Sequence, residues 1–119
     1  MAKSEQGRER RGPPRIDIRL SGEITCEGRS FTTRTRNLSV GGVCIECEKE
    51  LAEAAPVKLS LFLVIDDVED ATLPPLQVRG LVAWSASGED GQPATAGIRF
   101  QGLTEMQLAG LTRFLKLVA

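Results

Sequence analysis

Residues 96–118, AGIRFQGLTEMQLAGLTRFLKLV, change period in mid-course. Ala96-Gly97-Ile98-Arg99-Phe100 reads as a strand, whereas Leu108, Leu111, Phe114, Leu115 and Val118 recur at three- and four-residue steps and so fall on one face of a helix. The boundary is marked as well. Thr104 with Gln107 three residues on forms a capping box, and Leu103 before it can pack on Leu108 as a hydrophobic staple. The segment is therefore expected to form an amphipathic helix at 104–118 that needs an apolar surface to cover.

Upstream of it the period is two. Ile16-Asp17-Ile18-Arg19-Leu20 alternates as a half-buried strand does, which predicts strand 1 at about 15–25. A turn at Glu27-Gly28 leads into Phe31–Arg36, and Val43–Cys47 follows the Gly41-Gly42 pair. Val57–Val64 is apolar enough for a fourth strand, and the acidic stretch from Asp66 to Pro75 reads as a surface loop. Leu76–Ser85, the loop Ser87–Pro93 and Ala96–Phe100 complete a second hairpin. Six strands and one closing helix predict an all-β domain, a six-stranded antiparallel β-barrel with a C-terminal α-helix.

The 119 residues suffice for one domain, and 41% apolar with 26% charged side chains is an ordinary globular composition. No apolar run approaches the roughly 18–20 residues that cross a bilayer, and MAKSEQGRER lacks the apolar stretch of a secretory signal. The expected location is cytoplasmic, without membrane insertion. Histidine is absent, which removes the commonest general base and zinc ligand, so an enzyme is not expected.

The net charge of −1 hides an asymmetry. Residues 1–19 carry Lys3, Arg8, Arg10, Arg11, Arg15 and Arg19 against Glu5, Glu9 and Asp17, so the remaining chain is net acidic. We read residues 1–10 as a flexible basic arm and 11–118 as the domain. Arginine predominates in the arm, and its planar fork fits phosphate or the O6/N7 edge of guanine. An anionic partner is expected.

Two motifs carry this further. In Arg11-Gly12-Pro13-Pro14-Arg15 the prolines fix φ and hold their neighbours extended, which stiffens the spacing between two guanidinium groups. In Asn37-Leu38-Ser39-Val40-Gly41-Gly42 an amide and a hydroxyl stand two positions apart, beside glycines that permit a sharp turn and close approach of a ligand.

With RxxxR near its start and NxSxxG after the second strand, the chain resembles the PilZ domain family over about residues 9–118. The resemblance implies the same barrel and helix, a bacterial source, and the second messenger cyclic di-GMP (c-di-GMP) as ligand. It implies that Arg11 and Arg15 grip guanine edges and phosphate, that Asn37 and Ser39 hydrogen-bond the nucleotide, and that Gly42, after Gly41, keeps the loop open. Arg10, just ahead of the motif, resembles the basic residue of members that accept a stacked ligand dimer. Trp84 stands where several members stack an aromatic on guanine, while its parity with Val78 and Val82 points instead to the barrel interior.

The remaining candidates read as structural. Cys44-Ile45-Glu46-Cys47 is a CxxC whose cysteines point to opposite faces of a strand, with no second ligand pair to complete a zinc site. Asp66, Asp67, Glu69 and Asp70 lack the spacing of a calcium loop. No metal and no cofactor are expected. The function implied is a cyclic di-GMP receptor that presents a changed surface to an effector protein. The alternative is a nucleotide-independent adaptor of the same family in motility or polysaccharide assembly. A nucleic-acid-binding barrel is disfavoured by the acidic body and the scarcity of aromatic side chains.

Overall fold

The computed structural model describes residues 14–65, 68–69 and 75–118. Its strands are β1 (Ile16–Asp17), β2 (Ser21–Cys26), β3 (Arg29–Leu38), β4 (Gly42–Cys47), β5 (Pro56–Leu61), β6 (Val64–Ile65), β7 (Val68–Glu69), β8 (Leu76–Ala86) and β9 (Ala94–Gln101), followed by helix α1 (Glu105–Val118). The sheet order is β1-β3-β2-β5-β8-β9-β4, and β4 pairs back onto β3. Six antiparallel strands thus close into a barrel, with β1 as an added seventh along the end of β3.

Local sequence explains the closures. β2 and β3 meet through Glu27 (φ 54°) and Gly28 (φ 79°), the pair of left-handed residues that a two-residue hairpin turn matching strand twist requires. Strand interiors obey the alternation. Ile24, Val43, Ile45, Leu59, Leu61 and Ile98 point inward and are at most 3% exposed. Leu111, Phe114 and Leu115 of α1 join the same cluster, so the helix covers part of the barrel core. Its start is the expected capping box. The Thr104 amide donates to Gln107 Oε1, and the Gln107 amide to Thr104 Oγ1, both at 3.0 Å.

Four expectations change in detail. The predicted first strand is broken at 18–20, where the buried Thr35 hydroxyl donates to the Ile18 carbonyl and accepts the Leu20 amide at 2.8 Å. The hydroxyl takes the Ile18 carbonyl and Leu20 amide while backbone bonds from Ile18 to Arg36 and from Thr35 to Leu20 remain, and together they anchor β1 to the barrel. The fourth strand ends at Leu61 rather than Val64; Val64–Ile65 instead pairs with Val68–Glu69 in a separate ribbon, whose second strand lies inside the stretch 66–75 expected to be plain loop. Leu108 is 43% exposed. It lies at the edge of the apolar stripe, and Leu103 packs against the core.

Candidate functional site

Two irregularities in the barrel build one outward face. On β3 the register runs Thr35↔Ile45 and then Asn37↔Cys44, so Arg36 is an extra residue. Thr35 and Leu38 stay buried while Arg36 and Asn37 both turn outward, as a β-bulge requires. On β8 the partners of Ile98 and Gly97 are Val82 and Trp84, so Ala83 is the extra residue. Val82 remains inward at 2% exposure, and Trp84 emerges at 44%. The parity argument that placed Trp84 in the core is overturned by this bulge, because one inserted residue reverses every later side chain.

The pairings align a row across five strands. Asp17 on β1 faces Asn37 on β3, Asn37 faces Cys44 on β4, Cys44 faces Gly97 on β9, and Gly97 faces Trp84 on β8. With strands about 4.8 Å apart, Asn37 and Trp84 are separated by about 14 Å along the sheet. Trp84 lies across Gly97, where a Cβ would fall 2.1 Å from its indole Nε1.

Arg15 reaches the other end of the row. Just ahead of β1, its Nη1 donates to Asn37 Oδ1 at 2.8 Å, across 22 residues of sequence. Thr35 fixes 18–20, β1 pairs with Asn37 and Leu38, and the arginine is thereby delivered to the amide. Beside them Glu46 holds two cations. Arg36 Nε lies 2.7 Å from its Oε2, and Arg19 Nη1 3.2 Å from its Oε1. The hydrogen bond from Arg36, with the nearby Arg19 charge, holds the Glu46 carboxyl below its ordinary range, and the same bond to Glu46 raises Arg36. Burial pushes the Cys44 thiol up, against the opposing influence of the Arg36 and Arg15 charges.

The loop 39–42 is built inward. Ser39 is 2% exposed, its Oγ accepts the Gly41 amide at 3.1 Å, and its own amide donates to the Gly42 carbonyl at 2.9 Å. A Cβ on Gly42 would meet the Ile98 carbonyl oxygen at 2.3 Å, so the glycine there permits close approach of β9. The Gly41 carbonyl accepts the Phe100 amide at 3.0 Å, which ties the loop to the same strand.

Of the residues singled out in sequence, Arg15 and Asn37 are in contact, Trp84 shares their row, and Ser39, Gly41 and Gly42 shape the adjoining loop. Arg10 and Arg11 lie outside the described residues, as does the arm 1–10. Sequence reasoning passed over Gly97 as the seat of Trp84 and over Arg36 as the partner of Glu46, and it weighed Cys44 only as half of a CxxC. An interior strand glycine near the lone tryptophan's partner strand was the available signal for the first. The CxxC cysteines face opposite sides, Cys44 outward and Cys47 buried, and among the described residues no cluster suited to a metal occurs. No helix of the described residues is long and apolar enough to cross a membrane.

The sequence matches the family described as PilZ domain over residues 9–117. A search of curated proteins finds no match. Among solved structures, the PilZ domain of YcgR from Escherichia coli, determined with c-di-GMP, superposes with a TM-score of 0.69 at 15% identity, covering 91% of each chain. The inhibitor of motility MotI (DgrA) from Bacillus subtilis gives 0.70 at 16% identity over 88% of this chain and 48% of its own. PlzA of Borreliella burgdorferi, in complex with c-di-GMP, gives 0.60 at 16% identity over 92% of this chain and 43% of its own. The chain spans about half the length of MotI and less than half that of PlzA.

Proposed function

The chain belongs to the PilZ domain family, and on that footing we propose that it is a bacterial, non-catalytic receptor for cyclic di-GMP acting in the cytoplasm. The observation that carries the reading is the single row that begins at the Arg15–Asn37 hydrogen bond and ends at the exposed indole of Trp84. Cyclic di-GMP offers two phosphates and two guanines, and a row with a guanidinium at one end and an aromatic plane at the other can engage both kinds of group.

Each residue then has a role. Arg15 and, from the sequence, Arg11 supply forks for guanine edges or phosphate. Asn37 holds the Arg15 guanidinium in place and offers its amide NH2 to the ligand, because Oδ1 is already used. Ser39 acts through the loop: its hydroxyl organises Gly41 and Gly42, whose backbone borders the ligand. Trp84 supplies a face for stacking. Arg10 adds charge beside the motif, and the protein with ligand bound shows an effector protein a changed surface.

Calorimetric titration of the purified protein with cyclic di-GMP tests the reading. Saturable heat that GTP does not reproduce is expected. Absence of heat at ligand concentrations far above micromolar overturns it and leaves the nucleotide-independent adaptor.

A further inference from the structure

Arg99 stands on β9 two residues beyond Gly97, on the same outward face and about 6.6 Å further along the strand. Its direct partners are Gly42 on one side and Leu81 on the other. Gly42 lets β9 pack closely against the loop, so Arg99 borders both the 39–42 loop and the tryptophan's seat. The side chain is exposed. The ion pairs among the described residues belong to Glu46, with Arg19 and Arg36, and none involves Arg99. Among the described residues its guanidinium thus has no ion-pair partner, while the backbone on either side of it is tightly held. The Phe100 amide bonds the Gly41 carbonyl, and the Ile98 carbonyl lies against Gly42.

We propose that Arg99 reads the base stacked on Trp84, its two-pronged guanidinium meeting the O6/N7 edge of that guanine. This rests on the receptor reading above and deepens it by naming a specificity residue. Three features support it. The position is diagonal to Trp84 across one strand gap, the separation at which a long side chain reaches the rim of a ring lying on its neighbour. Arginine is the side chain that matches guanine's two adjacent acceptors. A rigid strand, pinned on both sides of residue 99, holds the fork in register with the plane it reads.

The fork and a bare charge are separable. Arg99→Lys keeps the charge and the aliphatic stem, which satisfies a phosphate but not two acceptors at once. Cyclic di-GMP affinity is measured for the wild type, Arg99→Gln and Arg99→Lys, with thermal midpoints confirming that each folds. At this exposed position both variants are expected to keep the wild-type midpoint and to bind about tenfold or more weakly. Wild-type affinity in Arg99→Gln removes Arg99 from the site, and wild-type affinity in Arg99→Lys reduces it to a charge; either overturns the proposal while leaving the receptor reading intact. Failure of the wild type itself to bind overturns both.

Discussion

Trp84 lies across Gly97 so closely that any side chain at 97 must displace it, since even a Cβ would sit 2.1 Å from the indole nitrogen. The glycine is buried with the tryptophan lying over it, and the tryptophan, on the outside of the barrel, is 44% exposed. The two residues make one device, an aromatic plate on a backbone seat.

Gly97→Ala should therefore act as a tryptophan mutation. Trp84→Ala is expected to weaken cyclic di-GMP binding by about 1–3 kcal/mol, the range for one base on one aromatic. Gly97→Ala should lose part of the same energy and shift the emission of the protein's single tryptophan. The double variant should bind no worse than Trp84→Ala alone, since both changes remove the same contact. Full additivity of the two losses would show that they act separately.

Arg15→Ala, and separately Arg11→Ala, should weaken cyclic di-GMP at least about tenfold, or about 1.4 kcal/mol. Arg15 is exposed, so the midpoint of the ligand-free protein should barely move. Unchanged dissociation constants in both variants would remove the arginine clamp from the account.

In α1, Phe114 is 0% and Leu111 1% exposed, and both join the barrel core. Phe114→Ala should cost about 3–5 kcal/mol and Leu111→Ala about 2–5 kcal/mol of stability, read from urea midpoints. Leu108→Ala, on the margin of the stripe, should cost much less. Equal losses at 108 and 111 would mean that the helix buries a different face.

Glu46 makes acid stability informative. Its carboxyl is held below the ordinary value of 4.5 by the hydrogen bond from Arg36 and by Arg19. A lowered folded-state value means stability that is complete above 4.5 and is lost as pH falls through the folded value. The advantage of the wild type over Glu46→Gln should hold at neutral pH and shrink on acidification below 4.5, measured by denaturant melts. Because both arginines are about half exposed, the difference should be small and should diminish in high salt. An advantage constant from neutral pH to acid would exclude the ionised cluster as its source.

Much of this was readable before any coordinates. Period-two stretches announced the barrel strands, and Thr104 with Gln107 announced the helix start, because both signals are local. The two motifs marked Arg15 and Asn37 as parts of one site, but not the hydrogen bond between them. What escaped was whatever depends on partners across the sheet. Trp84 has the parity of a core residue, and only the pairing of Gly97 and Ile98 with residues 84 and 82 reveals the residue inserted between. The interruption at 18–20 arises because Thr35, fifteen residues away from Leu20, supplies its backbone with a hydroxyl. Leu108 fits the helical spacing, yet spacing alone does not say where the covered stripe stops.

The bulges at Arg36 and Ala83 behave like frameshifts in a strand. Beyond each, what would have pointed into the barrel points out, and the outward reading frame on that side is the one that contains Asn37 or Trp84. Substitution at either position leaves the frame alone, although at Arg36 it also removes the ion pair with Glu46. Their deletion is another matter: removing Ala83 would turn Trp84 toward the core, and removing Arg36 would do the same to Asn37. The layout of the surface thus depends on the number of residues in β3 and β8 and not on which residue is the inserted one.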